Sequence, residues 1–147
     1  MDAKTKLIRF MELKAQYLSS AFGISPEKYF REEDRKAILS WDQDRAQTCW
    51  EAIAFNAERY EGLGSDLCPF CIYHQLELLE LDCDACEYAK HHGACPEFGS
   101  DWNQITSRMK LELGATAHYR APSNEVYREI LSRIFREEKG GQGDEQD

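Results

Sequence analysis

Apolar residues recur at helical spacing through four stretches of the chain, and most of these stretches end at a glycine. In the first, Leu7, Phe10, Met11, Tyr17, Leu18 and Ala21 fall on one face of a helix predicted over Ala3 to Ala21. Leu13 widens that stripe. Lys14 falls inside it, and the expected accommodation is a stem lying along apolar surface with its ammonium in water. Gly23 closes the helix, and Ser25-Pro26 supplies an N-cap followed by proline at the first position of a short second helix.

The second long stretch runs from about Glu33 to Tyr60, with a break expected near Ser40-Trp41-Asp42. Its apolar face carries Ile38, Trp41, Ala46, Cys49, Trp50, Ile53, Ala57 and Tyr60, and Gly62 and Gly64 stop it. Further on, Ser100-Asp101 caps a helix bearing Trp102, Ile105, Met109 and Leu113, closed by Gly114. Ser123 opens a last helix with Val126, Tyr127, Ile130, Leu131, Ile134 and Phe135 on one face. From Glu137 the charged, glycine-rich tail is expected to fray. Strand alternation, internal repeats and long linkers do not occur. The predicted fold is therefore mainly α: a single helical domain over residues 1–136, with a Cys-rich metal-binding segment inserted at 65–98 and a flexible charged tail at 137–147.

Cysteine spacing changes this picture most. Five of the six cysteines fall in one window: Cys68-Pro69-Phe70-Cys71, then Cys83-Asp84-Ala85-Cys86, then Cys95-Pro96. A CxxC turn lets two sulfurs converge on one centre, and two such turns supply four ligands. At 147 residues the chain can bury a core without disulfide staples, so its thiols are free for chemistry. The start of the chain leads into an amphipathic pattern rather than the apolar run of a signal peptide, and no stretch is apolar enough to span a bilayer. These features point to a cytoplasmic protein, where clustered cysteines bind metal or do redox work.

Geometry leaves two ligand sets open. Ile72, Leu76 and Leu79 suit a helix between the two CxxC pairs. If that linker is straight, Cys71 and Cys83 stand about 18 Å apart, whereas sulfurs on one zinc lie within about 4 Å of one another. A returning helix from about Asp84 to His92 would then bring Cys95 toward Cys68, Cys71 and Cys86. A linker that bends early would instead allow Cys68, Cys71, Cys83 and Cys86, leaving Cys95 spare. Two cofactors compete for either set. Zinc (Zn2+) would make a closed structural site of four cysteines that ties helices together. A [4Fe-4S] cluster also takes four thiolates, and the irregular spacing and the Cys95-Pro96 pair suit it. A third reading is metal-free dithiol chemistry at Cys68 and Cys71, favoured by a helix that begins there and opposed by the absence of a βαβ setting.

Charge narrows the partners. The net charge is −9, and Ser65 to Phe98 holds seven acids against Lys90 alone, which argues against nucleic acid. A protein partner meeting the acidic helical surface is the expected mode of action, and the amphipathic edges permit a homodimer without requiring one. His74, His91 and His92 flank the cysteines, but five thiols make imidazole ligands unnecessary. Cys49 falls on an apolar stripe and reads as core. No catalytic constellation accompanies the cysteines, so the chain is read as a metal-binding protein rather than an enzyme in its own right.

Overall fold

The computed structural model describes residues 1–78, 86–95 and 97–143, apart from the side chains of 77–78 and 141–143. Eight α-helices and no strand occur among the described residues. Helix α1 (Ala3–Phe22) starts where the Asp2 carboxylate accepts from the Thr5 N–H at 2.9 Å. It ends at Gly23, whose left-handed φ of 68° lets its own N–H and that of Ile24 turn back onto the last turn. α1 is the centre of the molecule and touches α2 (Pro26–Tyr29), α3 (Glu32–Leu39), α4 (Gln43–Ala57), α7 (Asp101–Leu113) and α8 (Asn124–Gly143). Because neighbours surround it, its buried side is wider than the periodicity predicts, taking in Ala3, Ile8 and Ala15 as well. Lys14 departs from expectation outright: it is not an extended stem with a solvated head but a fully buried side chain.

The break expected near Trp41 is present, between α3 and α4, with Asp42 capping the latter. Trp41 stacks on Tyr73 at 4.0 Å and meets Phe70 edge-on, fixing α5 (Pro69–Leu78) beside this turn. Cys49 is fully buried in the core with Ile53 and Ala57. Helix α8 buries Tyr127, Leu131 and Ile134 and runs to Gly143. Its Glu137 forms a two-point ion pair with Arg9, both contacts at 2.8 Å, and Glu138 meets Lys6 at 2.8 Å. No described helix is long and apolar enough to cross a membrane.

Candidate functional site

Three segments meet beside the middle of α1. A short 3-10 turn (Ser65–Leu67) leads into Cys68, and Pro69 then starts α5 at a position where its missing N–H is no loss. Hydrogen bonding toward the Cys68 sulfur comes first from the Cys71 thiol and to a smaller extent from the backbone N–H groups of Cys71 and Phe70. That hydrogen bonding, together with the nearby Lys14 ammonium, holds the Cys68 thiol below its ordinary value of 9.0. Cys71 moves the other way, because its proton is held by the Cys68 sulfur and burial disfavours its thiolate. The second segment is α6 (Glu87–His92), with Cys86 at its N-cap. The third carries Cys95, whose carbonyl accepts from the Ser100 hydroxyl at 2.8 Å.

Cys68, Cys71 and Cys95 line one cavity of about 180 Å³, walled by Tyr29, Tyr88, Trp102 and Leu63. Cys71 and Cys86 are buried, Cys68 and Cys95 half-buried, and none of the four is in a disulfide. Cys86 and Cys95 both act electrostatically on Cys71. Of the sequence candidates, the structure thus brings Cys68, Cys71 and Cys95 around one space, with Cys86 close behind. Cys83 lies outside the described residues, so the set that includes it is not placed. Among the described residues, no three His, Cys, Asp or Glu side chains are arranged to hold a single metal ion.

Lys14 is not among the sequence candidates, although a charge inside an apolar stripe was the available signal. Its ammonium donates to the Leu67 carbonyl at 2.7 Å and sits 5.1, 5.2 and 5.6 Å from the ring centres of Phe10, Tyr29 and Tyr127. No carboxylate among the described residues pairs with it. The group that most favours its charge is the Cys68 sulfur, with Cys71 second, in the turn that follows the carbonyl it holds. Burial nonetheless lowers its pKa from 10.5 to about 8. A buried cation with no carboxylate calls for negative charge at the cysteine pair, and thiolates are the form that ligates.

His91 and His92 face carboxylates, whereas the buried His74 Nε2 has no hydrogen-bond partner. His92 is fully buried, its Nε2 2.5 Å from Asp34 and its Nδ1 2.8 Å from Asp101, while His91 reaches Asp34 at 3.3 Å. Arg31 adds its backbone N–H to Asp34 and its guanidinium to Asp101. This network ties α6 to α3 and α7. The His92 ring also stacks on Tyr88 at 4.0 Å, and the Tyr88 hydroxyl donates to the Tyr29 carbonyl. Trp41 Nε1 donates to Glu87 at 3.0 Å from the other side. Helix α6 has only six residues and could not persist alone, so these contacts are what hold Cys86 and Cys95 in place. The chain matches none of the protein-family models, curated proteins or solved structures compared with it.

Proposed function

We propose that the chain holds an iron–sulfur cluster on Cys68, Cys71, Cys86 and Cys95 and serves in one-electron transfer or redox sensing. The observation that carries this reading is the cavity of about 180 Å³ lined by three of these cysteines. A single zinc draws its sulfurs to within about 4 Å of one another and leaves no room between them. A cluster places each thiolate on a different iron, so its ligands stand around a space rather than at a point. The wall of Tyr29, Tyr88, Trp102 and Leu63 is largely apolar, and such a surround tunes the potential of a cluster. Lys14 supports the reading from the other side, because thiolates on a cluster would add to the negative charge beside a buried lysine that has no described carboxylate. When bound, the cluster supplies reversible one-electron chemistry; the chain supplies ligands, a buried cation and exclusion of water.

In this reading the acidic surface, from a net charge of −9, meets a protein that delivers or receives the electron. Structural zinc on the same cysteines is the principal rival. Protein purified without oxygen and analysed for metal and acid-labile sulfide separates them. About four iron and four sulfide per chain, with broad visible absorbance, is the expected result. About one zinc per chain and no colour overturns the cluster and leaves a structural tetrathiolate site. One further reading has its own observation: Cys68 at the start of α5, with its lowered pKa and Cys71 as proton holder, also resembles a reactive dithiol. Metal-free protein that turns over a disulfide substrate, with loss in Cys71→Ser, would favour it.

A further inference from the structure

A second cavity of about 230 Å³ backs onto the cysteine cavity and shares Leu63, Gly64 and Trp102 with it. The shared wall is pinned by the Trp102 indole N–H, which donates to the Leu63 carbonyl at 2.9 Å. On the far side, Gly62 has a left-handed φ of 89°, and a Cβ there would collide with the Tyr119 carbonyl, so glycine is what lets the two segments of chain approach. Tyr127 and Pro122 fix the same glycine: the Tyr127 hydroxyl donates to its carbonyl at 2.5 Å, and its N–H donates to the Pro122 carbonyl at 2.9 Å. The cavity is thus built from anchored backbone.

Its lining defines a ligand. Trp102 and Tyr119 contribute aromatic surface, and Leu63, Met109 and Ala121 contribute apolar surface. No Lys or Arg lines it, which argues against an anion. Its one carboxylate, Glu61, already accepts from the Asn124 N–H at 3.0 Å. Thr106 lines the cavity from α7, but its hydroxyl already donates to the Asn103 carbonyl at 3.1 Å, whereas His118, 6% exposed, has its Nδ1 buried without a hydrogen-bond partner. Buried imidazole nitrogens are rarely left unpaired, because the lost hydrogen bond to water is not recovered.

We infer that this cavity binds a small, uncharged, planar aromatic bearing a carbonyl or phenolic hydroxyl, the chemistry of quinones and hydroquinones, with His118 as its polar anchor. In one tautomer Nδ1 donates to a carbonyl, and in the other it accepts from a hydroxyl, so one nitrogen serves both forms. Flat apolar faces pack on Trp102. The cavity assignment stands on its own geometry; only its pairing with the cysteine centre rests on the function proposed above.

The test uses the full chain purified without oxygen and titrates it with duroquinone, whose ring has no free position to alkylate thiols, following tryptophan fluorescence. Saturable quenching is expected, weakened about tenfold in His118→Phe through loss of one hydrogen bond, and abolished in Thr106→Phe, which fills the cavity from α7. Circular dichroism and thermal melting identify which variants are folded, and either variant suffices. Absence of saturable quenching, or quenching unchanged in a folded variant, overturns the inference. Tighter binding of benzylamine than of duroquinone also overturns it, in favour of a cationic ligand at Glu61. Duroquinone binding by protein that lacks iron leaves this inference standing and removes the cluster, whereas iron-loaded protein that ignores duroquinone does the reverse.

Discussion

Two of the basic side chains buried among the described residues, His92 and Lys14, are treated in opposite ways. His92 lies between two carboxylates, with Asp34 at 2.5 Å and Asp101 at 2.8 Å, and Arg31 supports both acids. Lys14 lies among three aromatic rings with a single carbonyl at 2.7 Å and no described carboxylate. The first site is complete as it stands, because both ring nitrogens and both acids have partners within the protein. The second has no described carboxylate, and what favours its charge lies on the sulfur side, first at Cys68 and then at Cys71. A buried group satisfied by the chain has a structural role, whereas Lys14, without a carboxylate beside the candidate ligands Cys68 and Cys71, singles out the cysteine pair as the place to test for binding. That contrast separates His92 from the ligands although it sits in the Cys-rich segment, and it adds Lys14, which lies more than fifty residues away from them.

The strongest attempt to break this contrast removes the sulfur that most favours the Lys14 charge. Cys68→Ser is expected to abolish iron and sulfide binding almost completely, read by metal analysis of anaerobic protein. Retention of full iron content would remove Cys68 from the ligand set. Next in size is His92→Phe, which leaves Asp34 and Asp101 buried without their partner. A loss of about 3–5 kcal/mol in urea unfolding is expected, with iron content falling as α6 loosens. A cost under about 1 kcal/mol would show that the network is not self-balanced.

Lys14→Met should sharpen the comparison through a change of sign. In cluster-free protein near pH 7 the variant is expected to be more stable, by up to about 3 kcal/mol, since a depression from 10.5 to about 8 is some 2.5 units at about 1.4 kcal/mol each. Below the folded value of about 8, both folded and unfolded chains hold the proton and the folded state bears the whole cost. As pH rises from about 8 to 10.5 the folded lysine gives up its proton before the unfolded one does, so wild type gains on the variant and the gap closes. With the cluster bound, the expected order reverses: the variant releases iron more readily and has a more negative midpoint potential. A variant less stable than wild type in both states would show that Lys14 is paired already. Smallest is Cys49→Ala, expected to cost about 1 kcal/mol from the methylene-sized void with iron content unchanged, because this buried thiol donates to the Pro69 carbonyl at 3.4 Å rather than facing the cavity.

Much of the fold was legible because its signals are local. The limits of α1 and α7 follow from Asp2, Gly23, Ser100 and Gly114, each acting on a backbone group within a few residues. The break was expected near Ser40-Trp41-Asp42, and the structure puts Asp42 there as the cap of α4. Burial of Lys14 was not legible for a physical reason: periodicity tells which face a residue occupies, not how many helices cover that face. The cavity walls were not legible at all, since Tyr29, Tyr88 and Trp102 come from three separate helices and look like ordinary core aromatics in sequence.

The sequence by itself determined that the chain is helical, where most helices start and stop, and that Cys68, Cys71, Cys83, Cys86 and Cys95 are candidate ligands, because capping, periodicity and CxxC spacing operate over one or two turns. Only the tertiary structure decided that Cys95 faces the same cavity as the first pair, that His92 is consumed by Asp34 and Asp101, and that Lys14 is buried against the cysteine turn. Those outcomes depend on residues dozens of positions apart meeting after the helices pack, and on the loss of water there, which makes each charge depend on the partner the fold provides.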